Sequence, residues 1–166
     1  MPPLSKAFNI AVLQCANRAC PRGWAVADTA PATLGEGLAM LARDGRPTVW
    51  SGASDATVFG DAEINYAFRA WHDAWHYRLR APFNRLGEQL VCAAQCADIR
   101  ALYGSGAIAG EFQRLLKAEI MGQLDYHACT GEFPADQRAF CLDYLASGAL
   151  GLAGIADARR YRGGLT

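Results

Sequence analysis

Apolar residues recur along this chain with a helical period. In "AEINYAFRAWHDAWHYRL", Ile64, Phe68, Trp71, Trp75 and Leu79 fall at three- and four-residue steps, which is one stripe of a helix. The segment "NRLGEQLVCAAQCADIRALY" does the same through Val91, Cys92, Gln95, Ile99 and Leu102, and "AIAGEFQRLLKAEIMGQLDYH" through Ile108, Phe112, Leu115, Leu116, Gly122 and Tyr126. Capping residues set the ends. Ser5 opens a first helix that runs to about Ala19 and stops at Pro21 and Gly23. A second covers Thr33 to Arg43, before "DGRP". Asp61 caps the third, which runs to about Tyr77, and Asn84 opens a fourth that reaches about Tyr103. After "GSG" a long fifth helix spans Ala107 to Cys129, and a sixth spans Ala135 to about Ala146. The tail "GALGLAGIADARRYRGG" reads as a short small-residue helix and a frayed end. The β-branched pieces Thr48 to Trp50 and Thr57 to Phe59 suit a two-stranded ribbon or an extended loop. The pattern predicts one all-α domain over residues 1–166, a bundle of about six helices with a short ribbon before the third.

Composition narrows the function classes. Sixteen basic residues balance sixteen acidic ones, so no basic excess advertises a nucleic-acid or membrane surface. The C-terminal "ARRYRGG" reads as a solvated tail. No signal-peptide pattern and no membrane-length apolar run stands out, which predicts a cytoplasmic protein. Six cysteines without paired CxxC knuckles read as buried, reduced thiols rather than a zinc site, and Cys92 and Cys96 share one helix, poorly placed for a disulfide. "GSGAIAG", Gly104 to Gly110, follows no strand and reads as a helix–helix turn, not a phosphate loop.

The chemistry lies where polar residues interrupt the stripes. His72 and His76 are four residues apart and share a face, so both imidazoles can reach one metal ion. Glu88 projects from the stripe of the next helix, and Glu119 and Gln123 sit in the middle of the stripe after that. A buried carboxylate costs several kcal/mol unless a cation or strong donors meet it. Convergence of the polar groups from three helices explains all of them together. His72, His76, Glu88 and Glu119 are therefore expected to form a mononuclear site for a divalent transition metal: zinc, iron or manganese. The "ExxH" pairs of diiron bundles are missing. A metal-free network, with Glu88 and Glu119 accepting hydrogen bonds from His72, His76 and Arg69, is the alternative. Among the remaining groups, Asp73 is expected to orient a ligand histidine and Gln123 to position substrate or water. Arg69 would offset carboxylate charge or bind an anionic group. His127 is an outlying ligand candidate.

Two resemblances bear on this constellation. "WHDAWH" is similar to the core of HD-domain phosphohydrolases, all-α enzymes that bind metal through a histidine, an HD pair and a later aspartate. His72 and Asp73 match the pair, His76 matches an extra histidine of some members, and Asp125 or Asp143 would be the later aspartate. The chain departs from that family in having no histidine before His72. A broader pattern, N-x-x-FRA-x-HD-x-x-H, then GE, then E-x-x-GQ, resembles a group of uncharacterised proteins of bacteriophages and mobile elements. It is carried by Asn65, Phe68, Arg69, His72, Asp73, His76, Gly87, Glu88, Glu119, Gly122 and Gln123, and implies a bacterial cytoplasm. Together these readings predict a small metal-dependent hydrolase acting on a small-molecule or nucleotide-like substrate. The rival is a non-catalytic binding protein, such as an inhibitor of a host enzyme, with exposed tryptophans (Trp24, Trp50, Trp71 or Trp75) anchoring a protein partner. A virion component is a third reading.

Overall fold

A computed structural model describes residues 2–147. It is mostly helical. Helix α1 (Lys6–Ala19) leads to a short strand β1 (Ala25–Ala27), α2 (Leu34–Asp44) and β2 (Thr48–Trp50). Then follow α3 (Ala62–Leu79), α4 (Arg85–Tyr103), α5 (Ala107–Lys117), a π-helical turn (Ala118–Gly122), α6 (Gln123–Thr130) and α7 (Gln137–Ser147). The all-α expectation holds; Ser5, Asp61 and Asn84 cap as expected, and Thr33, placed by periodicity inside the second helix, is its cap. Ser5, Thr33, Asp61 and Asn84 each accept a hydrogen bond from a backbone N–H in the first turn of their helix.

Three expectations need correction. Thr48–Trp50 is a strand, but its partner is Ala25–Ala27, in parallel register with Val26 opposite Val49. Thr57–Phe59 is instead a turn, whose Val58 and Phe59 are buried as apolar plugs. The single helix expected over Ala107 to Cys129 is divided by the π turn. Trp71 cannot anchor an interface, because it is fully buried and its indole donates to Asp98 at 2.8 Å, as does that of Trp75 at 2.7 Å. Only Trp50 is well exposed. The expected tail helix lies outside the described residues.

Helix α3 is the centre of the packing, with α1 along one side, α4 along another, and α2 and β2 against it as well. Phe8, Phe59, Phe68 and Phe112 bring α1, the turn before α3, α3 itself and α5 into one core, with ring centroids 5.1–6.0 Å apart along the series. Leu79 and Ile108, placed on core stripes by periodicity, are exposed near helix ends. Among the described residues no helix is long and apolar enough to cross a membrane. All six cysteines are free, and all but Cys129 are buried.

Candidate metal centre

The chain between α3 and α4 is short, and it decides the site. Arg80 ends α3 in the left-handed region at φ 53°, an uncommon conformation for a residue with a β-carbon. That reversal turns the Ala81 carbonyl back onto the helix it has just left, where His76 Nδ1 donates to it at 3.0 Å. Three residues on, Asn84 caps α4 by accepting from the Gly87 amide. A β-carbon at position 87 would lie 1.8 Å from the Pro82 carbonyl oxygen, so only glycine lets the turn pack this closely on α4. The result sets the last turns of α3 against the first turn of α4, and Glu88 opposite both histidines. A helix N-terminus also favours a carboxylate.

The geometry is tight. His72 Nε2 lies 2.9 Å from Glu88 Oε2, and His76 Nε2 lies 3.2 Å from Glu88 Oε1. The two Nε2 atoms are 3.1 Å apart. On the far side of its ring, His72 Nδ1 meets Gln95 Oε1 at 3.0 Å. His76 is fully buried, with Phe83 edge-on to it at 4.7 Å between centroids. Burial would raise the Glu88 pKa, but the hydrogen bonds from His72 and His76 outweigh it and hold the carboxyl at about 2. Burial likewise works against a charge on His72, and the Glu88 carboxylate overcomes it, raising the imidazole above its usual range.

His72, His76 and Glu88 thus come together as expected, with one ligand atom from each within 4.8 Å of the others. Glu119 does not join that cluster. It lines the same cavity of about 290 Å³, with Asn65, Phe68, His72, Glu88 and Gln123. The π turn carries Ala118, Glu119, Ile120 and Gly122 into the interior. There burial raises the Glu119 pKa to about 7, and its Oε2 accepts a weak bond from the Cys141 thiol at 3.5 Å. Gln123 is buried beside it, and its Nε2 has no hydrogen-bond partner among the described residues.

Arg69 reaches the cavity wall, but its guanidinium donates to the carbonyls of Trp50, Gly52 and Ala53. Asn65 donates to Ser54 and Tyr66 to the Ser51 carbonyl. The Asn65 to Arg69 part of the sequence pattern therefore pins the loop before α3 to the helix. Asp73 makes no hydrogen bond to either ligand ring. The orienting groups are Gln95 and the Ala81 carbonyl. Asp73 instead lines a second cavity of about 250 Å³ on the other side of His72, with Trp50, His76 and Phe83, where burial raises its pKa to about 6. His127 packs on Phe133 away from the cluster, with centroids 4.6 Å apart. Sequence reasoning missed Gln95 as an orienter; an amide in the middle of a core stripe was the available signal. A backbone carbonyl such as that of Ala81 leaves no signal. No family model matches the chain, and no curated protein or solved structure gives a significant match.

Proposed function

We propose that this protein is a small metal-dependent hydrolase in which His72, His76 and Glu88 hold one divalent transition-metal ion. One observation carries the reading. Each Nδ1 faces an acceptor, Gln95 Oε1 or the Ala81 carbonyl, so a neutral ring keeps its proton on Nδ1. Without a metal, protons on Nε2 bind the rings to Glu88; an ion that displaced them would meet two Nε2 lone pairs, 3.1 Å apart, and an ionised carboxylate. Three electron-rich groups facing one another repel unless positive charge lies among them. A single proton relieves part of that repulsion, and a divalent cation relieves all of it. Two imidazoles and a carboxylate suit zinc, iron or manganese.

Three protein ligands leave coordination positions for water and substrate, and a metal there would supply Lewis acidity and an activated water. The chain's own contribution is the wall around it. Asn65, Glu119 and Gln123 offer hydrogen-bonding groups, while Phe68 and Phe133 offer apolar surface. With Arg69 engaged by loop carbonyls, that wall suits a small polar molecule better than a strongly anionic one. The Gln123 Nε2, which has no hydrogen-bond partner among the described residues, is a donor for a substrate acceptor. Elemental analysis of the purified chain tests the reading. About one equivalent of a transition metal is expected, and its absence, with a melting temperature indifferent to chelator, overturns the proposal.

A further inference from the structure

A third pocket lies on another side of α3, at its junction with α1 and α2. Its volume is about 340 Å³, and among the described residues its wall includes Arg22, Arg46, Arg78 and Arg80 but no acidic side chain. Four arginines lining one concavity stand out in a chain whose acids and bases balance. Like charges gathered in this way repel, and an anion that bridges them removes the penalty. The Arg22 guanidinium lies at the wall, because a β-carbon on Gly45 would sit 2.5 Å from its Nη1. Arg78 is at the rim, donating to the Ala19 carbonyl at 2.6 Å and lying over the Trp75 ring.

The nearby acids do not neutralise this set. Asp44, within electrostatic reach of Arg46, is already held by Arg43 through two bonds of 2.7 Å each. Asp73 acts on Tyr77 and Cys20 from the far side, where it opens on the cavity of Trp50 and Phe83. Tyr77 is part of the pocket wall and only 4% exposed, and its hydroxyl, buried against Gly37 of α2, has no hydrogen-bond partner among the described residues. A β-carbon on Gly37 would come within 2.4 Å of the ring, so glycine lets this wall pack closely. Leu38, Leu41 and Pro47 line the remainder as an apolar surface.

We infer that this pocket binds a small organic phosphate, its phosphate among the arginines and its apolar body against Leu38 and Leu41. A carboxylate is satisfied by one bidentate guanidinium, whereas a doubly charged phosphate has oxygens for several donors. The inference does not depend on the metal reading. Calorimetric titration of the full chain, stripped of metal, with phenyl phosphate tests it, with phenol as the uncharged control. Saturable one-to-one binding of phenyl phosphate and none of phenol is expected. The double variant Arg22→Glu/Arg46→Glu, both at exposed positions outside the helices, should bind at least about tenfold more weakly, two charge-assisted contacts being reversed. No saturable binding in the millimolar range, or undiminished binding by the double variant, would overturn the proposal.

Discussion

Glu88 and Glu119 make the instructive comparison. Both are glutamates on helix faces that otherwise form core, and both line one cavity. Their states are opposite. Glu88 stands at the start of α4 with two imidazoles on its oxygens, and is held at about 2. Glu119 sits in the π turn with a thiol as its hydrogen-bond donor, and burial lifts it to about 7. A thiol is a weak donor and carries no charge, so it cannot offset the desolvation of a carboxylate. What a buried acid does is decided by the groups around it. Here the same residue type yields an ionised carboxylate against two imidazoles at one end of the cavity and a titrating, hydrogen-bonding wall at the other.

The largest effect should come from removing a ligand on the Glu88 side. His76→Ala is expected to abolish metal retention while the helices remain, since Trp71 and Phe68 still pack. Truncating a fully buried ring also costs stability in any case. The discriminating readout is therefore the difference in melting temperature with and without chelator, which should be several degrees in the parent and vanish in the variant. A metal-free network predicts no chelator effect in either, together with a loss of roughly 3–5 kcal/mol in His76→Ala, typical of a broken buried charge pair.

The next effect belongs to Glu119 and to pH. Its pKa is raised on folding, so the folded chain binds the proton more tightly than the unfolded chain does. The stability this contributes is fully present below the unfolded value near 4.5 and is lost as pH rises through about 7. A displacement of that size corresponds to roughly 3 kcal/mol. Glu119→Gln keeps the shape and removes the titration. In chelator-treated protein, denaturant melts at pH 4.5 and pH 8 should show the parent losing stability relative to the variant as pH rises. Glu88 has the opposite sign, because its depressed pKa contributes stability above about 4.5 that disappears only as pH falls through about 2. Equal pH dependence of parent and Glu119→Gln would erase the contrast.

Metal affinity sharpens it further. Glu88→Gln should weaken binding by about one to two orders of magnitude, as expected when a ligand is impaired. Glu119→Gln should leave affinity nearly unchanged, since its carboxylate lies outside the three-ligand cluster. Competition against a chromophoric chelator measures both. Comparable losses in the two variants would place Glu119 among the ligands after all.

Much of this was legible in the sequence, and unevenly. The caps at Ser5, Asp61 and Asn84 announced their helices, because a short polar side chain before an apolar period has a local cause and a local effect. The cluster of His72, His76 and Glu88 was legible for a similar reason, these being charged or titratable residues on faces that should be apolar. Glu119 passed the same test and still differs, because a stripe shows that a side chain points inward but not what it meets. The π turn was invisible, since one wider turn barely alters the apolar period of Phe112, Leu116 and Tyr126. The pairing of β1 with β2 was missed because Ala25–Ala27 is short and lacks a strong strand composition. Arg69 was assigned to chemistry when its partners are carbonyls of a loop, contacts that no residue pattern records.

Gln95 gives the smallest and most selective test of the Glu88 side. It is fully buried, and its Oε1 meets His72 Nδ1 at 3.0 Å while its Nε2 has no partner among the described residues. The amide therefore gives the fold little and fixes the imidazole tautomer that leaves Nε2 free for a metal. Gln95→Leu keeps similar volume and discards an unpaired buried donor, so stability should stay level or rise. Without the acceptor, His72 can place its proton on Nε2 and turn the ring, and metal affinity should fall about tenfold, the lower end of the effect of losing such a partner. Gln95→Glu restores an acceptor in the same place and strengthens it, so affinity should return to the parent level or exceed it. A structural role alone predicts the reverse order: Leu tolerated without loss of metal, and Glu harmful because it buries another charge. Chelator competition on the two variants, read beside their melting temperatures, separates these outcomes.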